Sequence, residues 1–131
     1  MSYSLPSHLS NLPIYQKAMD IIVISRSISN YLNQDLVYLN TDGTEDNNIY
    51  FSGDIIQQSI SLAPEIINAE LEKCSQKKSR HLEILDRLTT RLYTNCKRLE
   101  KSNSNGKDYL PILRGELRKF RKLQRHWMMT L

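Results

Sequence analysis

Eight arginines in the C-terminal half have the types and spacing to bind a polyanion. Arg80, Arg87, Arg91 and Arg98 follow one another at intervals of seven, four and seven residues. On a helix, at about 100° per residue, they fall within about 40° of one another. Arg114, Arg118, Arg121 and Arg125 form a second narrow row, Lys119 and Lys122 extend its charge, and Glu116 offsets part of it. A guanidinium presents a planar fork of donors that suits phosphate, whereas an ammonium is a mobile point charge. Contacts of this kind give affinity and strong salt dependence but little sequence information. Long charged side chains also clothe the wet face of ordinary helical bundles, their stems lying over apolar surface. The rows by themselves therefore leave open a nucleic acid, an acidic protein, or solvent.

Other chemistry has little support. His8, His81 and His126 lie in separate expected elements and outside any short metal motif. Glu65 with Glu70, and Glu83 with Asp86, are acidic pairs without partnering histidines, so surface charge is the expectation for both. No glycine-rich phosphate loop and no nucleophile elbow occurs. The chain is thus expected not to be an enzyme, with no catalytic residues, no metal and no cofactor. Cys74 and Cys96 have neither metal-ligand nor disulfide-framework spacing and read as ordinary helix residues. Tyr15, Tyr31, Tyr38, Tyr50, Tyr93 and Tyr109 are too dispersed to predict a stacking platform. Trp127, Met128 and Met129 allow two readings: the indole plugs one end of the core, or all three form an oligomer interface.

The elements that must position these groups are four amphipathic helices. Asn11 caps the first, and Ile14, Ala18, Ile21, Ile22, Ser25, Ile28 and Leu32 form its inner stripe, ending near Asn33. Val23 and Ile24 widen that face toward a second neighbour or another subunit. Residues 1–11 read as a poorly structured segment, and residues 34–51 as a polar connector without calcium-loop spacing. The second helix is expected from Ser52 or Asp54 to about Cys74, with Ile55, Ile56, Ile60, Ala63, Ile67 and Leu71 inward and Leu62 and Ile66 beside them. Pro64 predicts a bend or short break there. Leu82, Leu85, Leu88, Leu92, Cys96 and Leu99 mark the third helix, Lys77 to Ser102, with the arginine row about 120° from this stripe. After a linker at 102–108, Leu110, Leu113, Leu117, Phe120, Leu123 and Trp127 mark the fourth, Tyr109 to Met129. The fold class is all-α: one antiparallel four-helix-bundle domain over residues 1–131. If the last two helices are neighbours, their arginine rows merge into one field about five turns long.

Length and charge agree with this. The chain has 131 residues and a net charge of +4, enough for a single core. Residues 1–51 hold two basic against five acidic side chains, and residues 77–131 hold fifteen against five. An asymmetry of this size attracts polyanions. No run approaches the ~18 apolar residues of a membrane span, and the N-terminus lacks a signal-peptide pattern. The expectation is a cytoplasmic protein without a membrane partner.

Two segments resemble a known family. Ile14-Tyr15-Gln16-Lys17-Ala18-Met19-Asp20 matches an early tyrosine- or tryptophan–glutamine–lysine–alanine pattern. Ser59-Ile60-Ser61-Leu62-Ala63-Pro64-Glu65-Ile66-Ile67-Asn68-Ala69-Glu70 resembles a second-helix segment with a serine–isoleucine–proline turn before asparagine–isoleucine–alanine–glutamate. Here Ile67 precedes Asn68, and Leu71 stands in place of the glycine that usually follows. Both patterns belong to the four-helix-bundle proteins encoded in bacterial 23S rRNA intervening sequences and the related accessory variability proteins of diversity-generating retroelements. The basic segment ending in Trp127 looks more like the retroelement branch. The resemblance implies a noncatalytic accessory protein that forms homo-oligomers and associates with a reverse transcriptase and with RNA or DNA. The alternative is a structural or protein–protein interaction module whose basic surface binds no nucleic acid.

Overall fold

Apolar residues recurring at three- and four-residue intervals wind onto one side of a helix, and that side must be covered. The computed structural model describes residues 7–36, 48–101 and 105–131. Among these, a short α1 (Ser7–Ser10) precedes four long helices: α2 (Pro13–Leu36), α3 (Asn48–Leu71), α4 (Ser75–Leu99) and α5 (Leu110–Met128). A 3-10 turn at Asn105–Tyr109 leads into α5, and Pro111 sits in the first turn of that helix, where a missing N–H costs nothing.

The helices form a square in which α2 and α4 each touch both α3 and α5. Side-chain pairs fix their directions. Gln58 bonds Asn95 and Glu65 bonds His81, so α3 and α4 run oppositely. Glu100 meets Arg114 and Asp86 meets Arg121, so α4 and α5 do too. Lys17 reaches Glu116 while Tyr31 stacks on Tyr109, which sets α2 against α5. This is an antiparallel four-helix bundle, with Ile14, Ile21, Leu62, Ile66, Leu92, Leu117 and Phe120 in its fully buried centre.

Four expectations change. First, the inward side of α3 is rotated from the expected stripe. Ile55 and Ala63 are buried as expected, but Ile60 and Leu71 are 37% and 54% exposed, and Leu62 and Ile66, expected beside the stripe, are buried with Ser59 and Ala69. Ser59 can be buried because its hydroxyl meets that of Ser25 at 2.7 Å and the carbonyl of Ile55 at 2.7 Å, which satisfies a group that would otherwise cost burial energy. Second, α3 continues through Pro64 without a break. The carbonyl of Ile60 loses its helical donor, but Pro64 and Ile60 both lie on the exposed side, where solvent can serve that carbonyl. Third, residues 7–10 form a helical turn, with Leu9 buried and its carbonyl accepting from Leu12 N at 3.2 Å; residues 1–6 lie outside the described residues. Fourth, α2 and α3 extend into the expected connector, and its remainder, residues 37–47, lies outside the described residues.

The two cysteines have opposite environments. Cys74 is exposed just before α4, and Cys96 is buried on it. Burial, aided by the charge of Glu100, pushes the Cys96 thiol up to about 12. Since the thiolate is the nucleophile, a maleimide at pH 8 is expected to label Cys74 in the folded protein and Cys96 only after denaturation. Rapid labelling of both, followed by mass spectrometry, would contradict this packing. An unfolded thiol loses its proton near 9.0, so the unfolded state binds fewer protons above that pH. Cys96 therefore lowers folding stability progressively as pH rises from about 9 toward about 12. Cys96→Ala should flatten that part of the stability curve.

Candidate nucleic-acid interface

On α4, Leu85, Thr89, Leu92, Cys96 and Leu99 form the buried stripe. At about 100° per residue, Arg80, Arg87, Arg91 and Arg98 are centred about 140° from it, and all four are exposed. This row lies on the outer side of α4. Among the described residues, Arg80, Arg87 and Arg91 make no ion pair.

The row on α5 is placed differently. It sits about 100° from the buried side of its helix, against α4. Arg121 donates to Asp86 Oδ1 at 3.0 Å and to Thr90 Oγ1 at 2.6 Å. Arg114 donates from Nε to Glu100, and this carboxylate, then Tyr93, raises its pKa. Arg118 reaches the Tyr93 hydroxyl at 3.4 Å. Lys119 pairs with Glu116 at 3.0 Å, and Glu116 also takes Lys17 of α2 at 2.7 Å. Those ammonium groups, Lys17 first, hold the Glu116 carboxyl below its usual range. Lys122 and Arg125 are exposed and unpaired among the described residues.

The two rows stay apart along most of α4 and approach each other at its C-terminal end, where Arg98 and Arg114 line one groove. On α4 the seam residues Asp86, Tyr93, Lys97 and Glu100 lie about 130° around the helix from the outer arginines. The expected single field is instead an exposed outer row and a seam row that Asp86 and Glu100 partly neutralise.

Several side chains acquire partners that spacing along the chain did not announce. Glu65 Oε2 lies 2.8 Å from His81 Nδ1, both half-buried between α3 and α4, so a histidine–carboxylate contact does form. Glu70 accepts the indole N–H of Trp127 at 2.9 Å. Trp127 is 5% exposed and belongs to the core, whereas Met128 and Met129 stay exposed; the indole is thus committed inside the chain and the methionines remain available. Tyr31 and Tyr109 stack with centroids 5.5 Å apart. Tyr93 gathers Lys97, Arg114 and Arg118 around its ring. His8 and His126 are exposed. Among the described residues, no three histidine, cysteine or acidic side chains are grouped to hold a metal ion, and no helix is long and apolar enough to cross a membrane.

Fold and surface together define an antiparallel helical bundle with an exposed arginine row on α4. No family model, curated protein or solved structure matches the chain.

Proposed function

We propose that the chain is a noncatalytic accessory protein that holds RNA or DNA by its phosphates on the outer face of α4. The observation that carries this is the row Arg80, Arg87, Arg91 and Arg98, all exposed, spread over about 27 Å of helix. Lys122 and Arg125 add charge from α5. Among the described residues Arg80, Arg87 and Arg91 make no ion pair, which leaves them available to an anion. The resemblance to retroelement accessory proteins extends the proposal to a reverse transcriptase as partner and to a homo-oligomer.

Fluorescence anisotropy with single- and double-stranded RNA and DNA tests the reading. Between roughly 50 and 200 mM salt, log K should fall linearly with log salt, with a slope of about −3 or steeper and little dependence on sequence. No binding by the folded protein at the lowest salt overturns it.

A second reading is a protein-interaction module. It draws on an exposed apolar strip: Met19, Val23 and Tyr31 on α2 beside Tyr109 and Ile112. Exposed apolar surface of this kind marks interaction sites. A protein partner, or a second copy, that stays bound after nuclease treatment and in the absence of any oligonucleotide binding would favour this reading.

A further inference from the structure

The seam between α4 and α5 opens into a basic groove at the C-terminal end of α4. Tyr93, Lys97, Arg98, Glu100, Lys101 and Arg114 line a cavity of about 630 Å³, a size suited to a small ligand. Lys97 Nζ and Arg114 Cζ each lie 5.8 Å from the centre of the Tyr93 ring, and Arg118 Cζ lies 6.0 Å from it. Cations over a tyrosine face are attracted to it, so the ring acts as a post that gathers positive charge from two helices. Lys97, Arg98, Lys101, Arg114 and Arg118 face one lining carboxylate, Glu100.

Glu100 decides which anion gains by entering. It already pairs with Arg114. A phosphodiester, with one charge, would replace one anion by another and gain little. A phosphomonoester carries about −1.5 to −2 at neutral pH and has three strong acceptor oxygens, so it gains charge as well as hydrogen bonds. The tyrosine hydroxyl shows the same preference. Its bonds from Arg118, and then from Arg114, hold the phenol below its ordinary range, meaning that negative charge on an oxygen there is favoured. Arg98 links the groove to the proposed binding face, because it ends the outer row and also lines the cavity.

We infer that this groove seats a phosphomonoester, supplied as the terminal phosphate of a strand lying along the outer row. Arg114, Arg118 and Lys97 hold its oxygens, and Glu100 disfavours internal phosphodiesters. The strand as source rests on the nucleic-acid reading above; the groove chemistry does not.

Anisotropy with one oligonucleotide carrying a 5′-phosphate, a 3′-phosphate or hydroxyl ends tests this, alongside calorimetric titration of adenosine 5′-monophosphate against adenosine. One phosphorylated end should bind about tenfold tighter than the hydroxyl form, of the order expected for one or two charge-assisted contacts. Lys97→Gln should remove that preference, and Glu100→Gln should shrink it by strengthening the hydroxyl-ended strand, with helical circular dichroism unchanged in both. Equal binding of all three oligonucleotides overturns the inference and leaves the nucleic-acid reading standing. Binding of the monophosphate but of no oligonucleotide, lost in Lys97→Gln, supports the seat and overturns the nucleic-acid reading. Binding of neither overturns both.

Discussion

Replacing Arg80, Arg87 and Arg91 together by glutamine is expected to weaken binding to any RNA or DNA by about a hundredfold at low salt. Three phosphate contacts at about 1 kcal/mol each give about 3 kcal/mol, slightly more than two decades. The salt slope should become shallower by about 2 to 3, because fewer counterions are released. Folding should be unaffected, since these side chains are exposed and take part in no internal ion pair among the described residues. Arg114→Gln with Arg121→Gln provides the contrast. Those guanidiniums already hold Glu100 and Asp86, so a phosphate must displace a carboxylate to reach them, and their loss should cost a strand with hydroxyl ends less than tenfold. Equal losses in the two variants, measured by anisotropy, would remove the distinction between the outer row and the seam.

The second large effect concerns stability. Phe120 is fully buried within the core cluster, and Phe120→Ala should cost about 3–5 kcal/mol through lost burial and the cavity left behind. Against a typical total of about 5–15 kcal/mol, that is a large share of the folding free energy. On α3, Ile66→Ala should cost about 2–5 kcal/mol and Ile60→Ala under about 1 kcal/mol, because Ile66 is fully buried and Ile60 is 37% exposed. Urea denaturation of the three variants measures all of this. A larger loss from Ile60 than from Ile66 would mean that α3 is turned the other way.

That rotation also marks how far the sequence could be read. The stripe Ile14–Ala18–Ile21–Ser25–Ile28 on α2 was legible because it contains nearly all the small and apolar residues that the core uses. On α3, isoleucines occur on more than one side, and hydropathy passed over Ser59 and Ala69, whose burial depends on neighbours in α2 and α4. The same limit gave Leu123 as a core position on α5, where Gln124 is the buried residue and Leu123 is only half-buried. Alignment within each arginine row followed from helical period alone. The relation between the rows did not, because it depends on how α4 and α5 are turned toward each other. Asp86, Tyr93 and Glu100 enter the seam through that turn, as do Glu65 with His81 and Glu70 with Trp127. Each of these pairs joins residues on different helices, which spacing along one chain segment does not encode.

The central claim, that the outer face of α4 holds the phosphate backbone, is tested most directly by following arginine side-chain Nε–Hε resonances during titration with a hydroxyl-ended oligonucleotide. The signals of Arg80, Arg87 and Arg91 should move first and furthest, while Arg26, exposed on α2, stays in place. Saturation with no movement of those three signals, or with the largest movement at Arg26, would contradict the account.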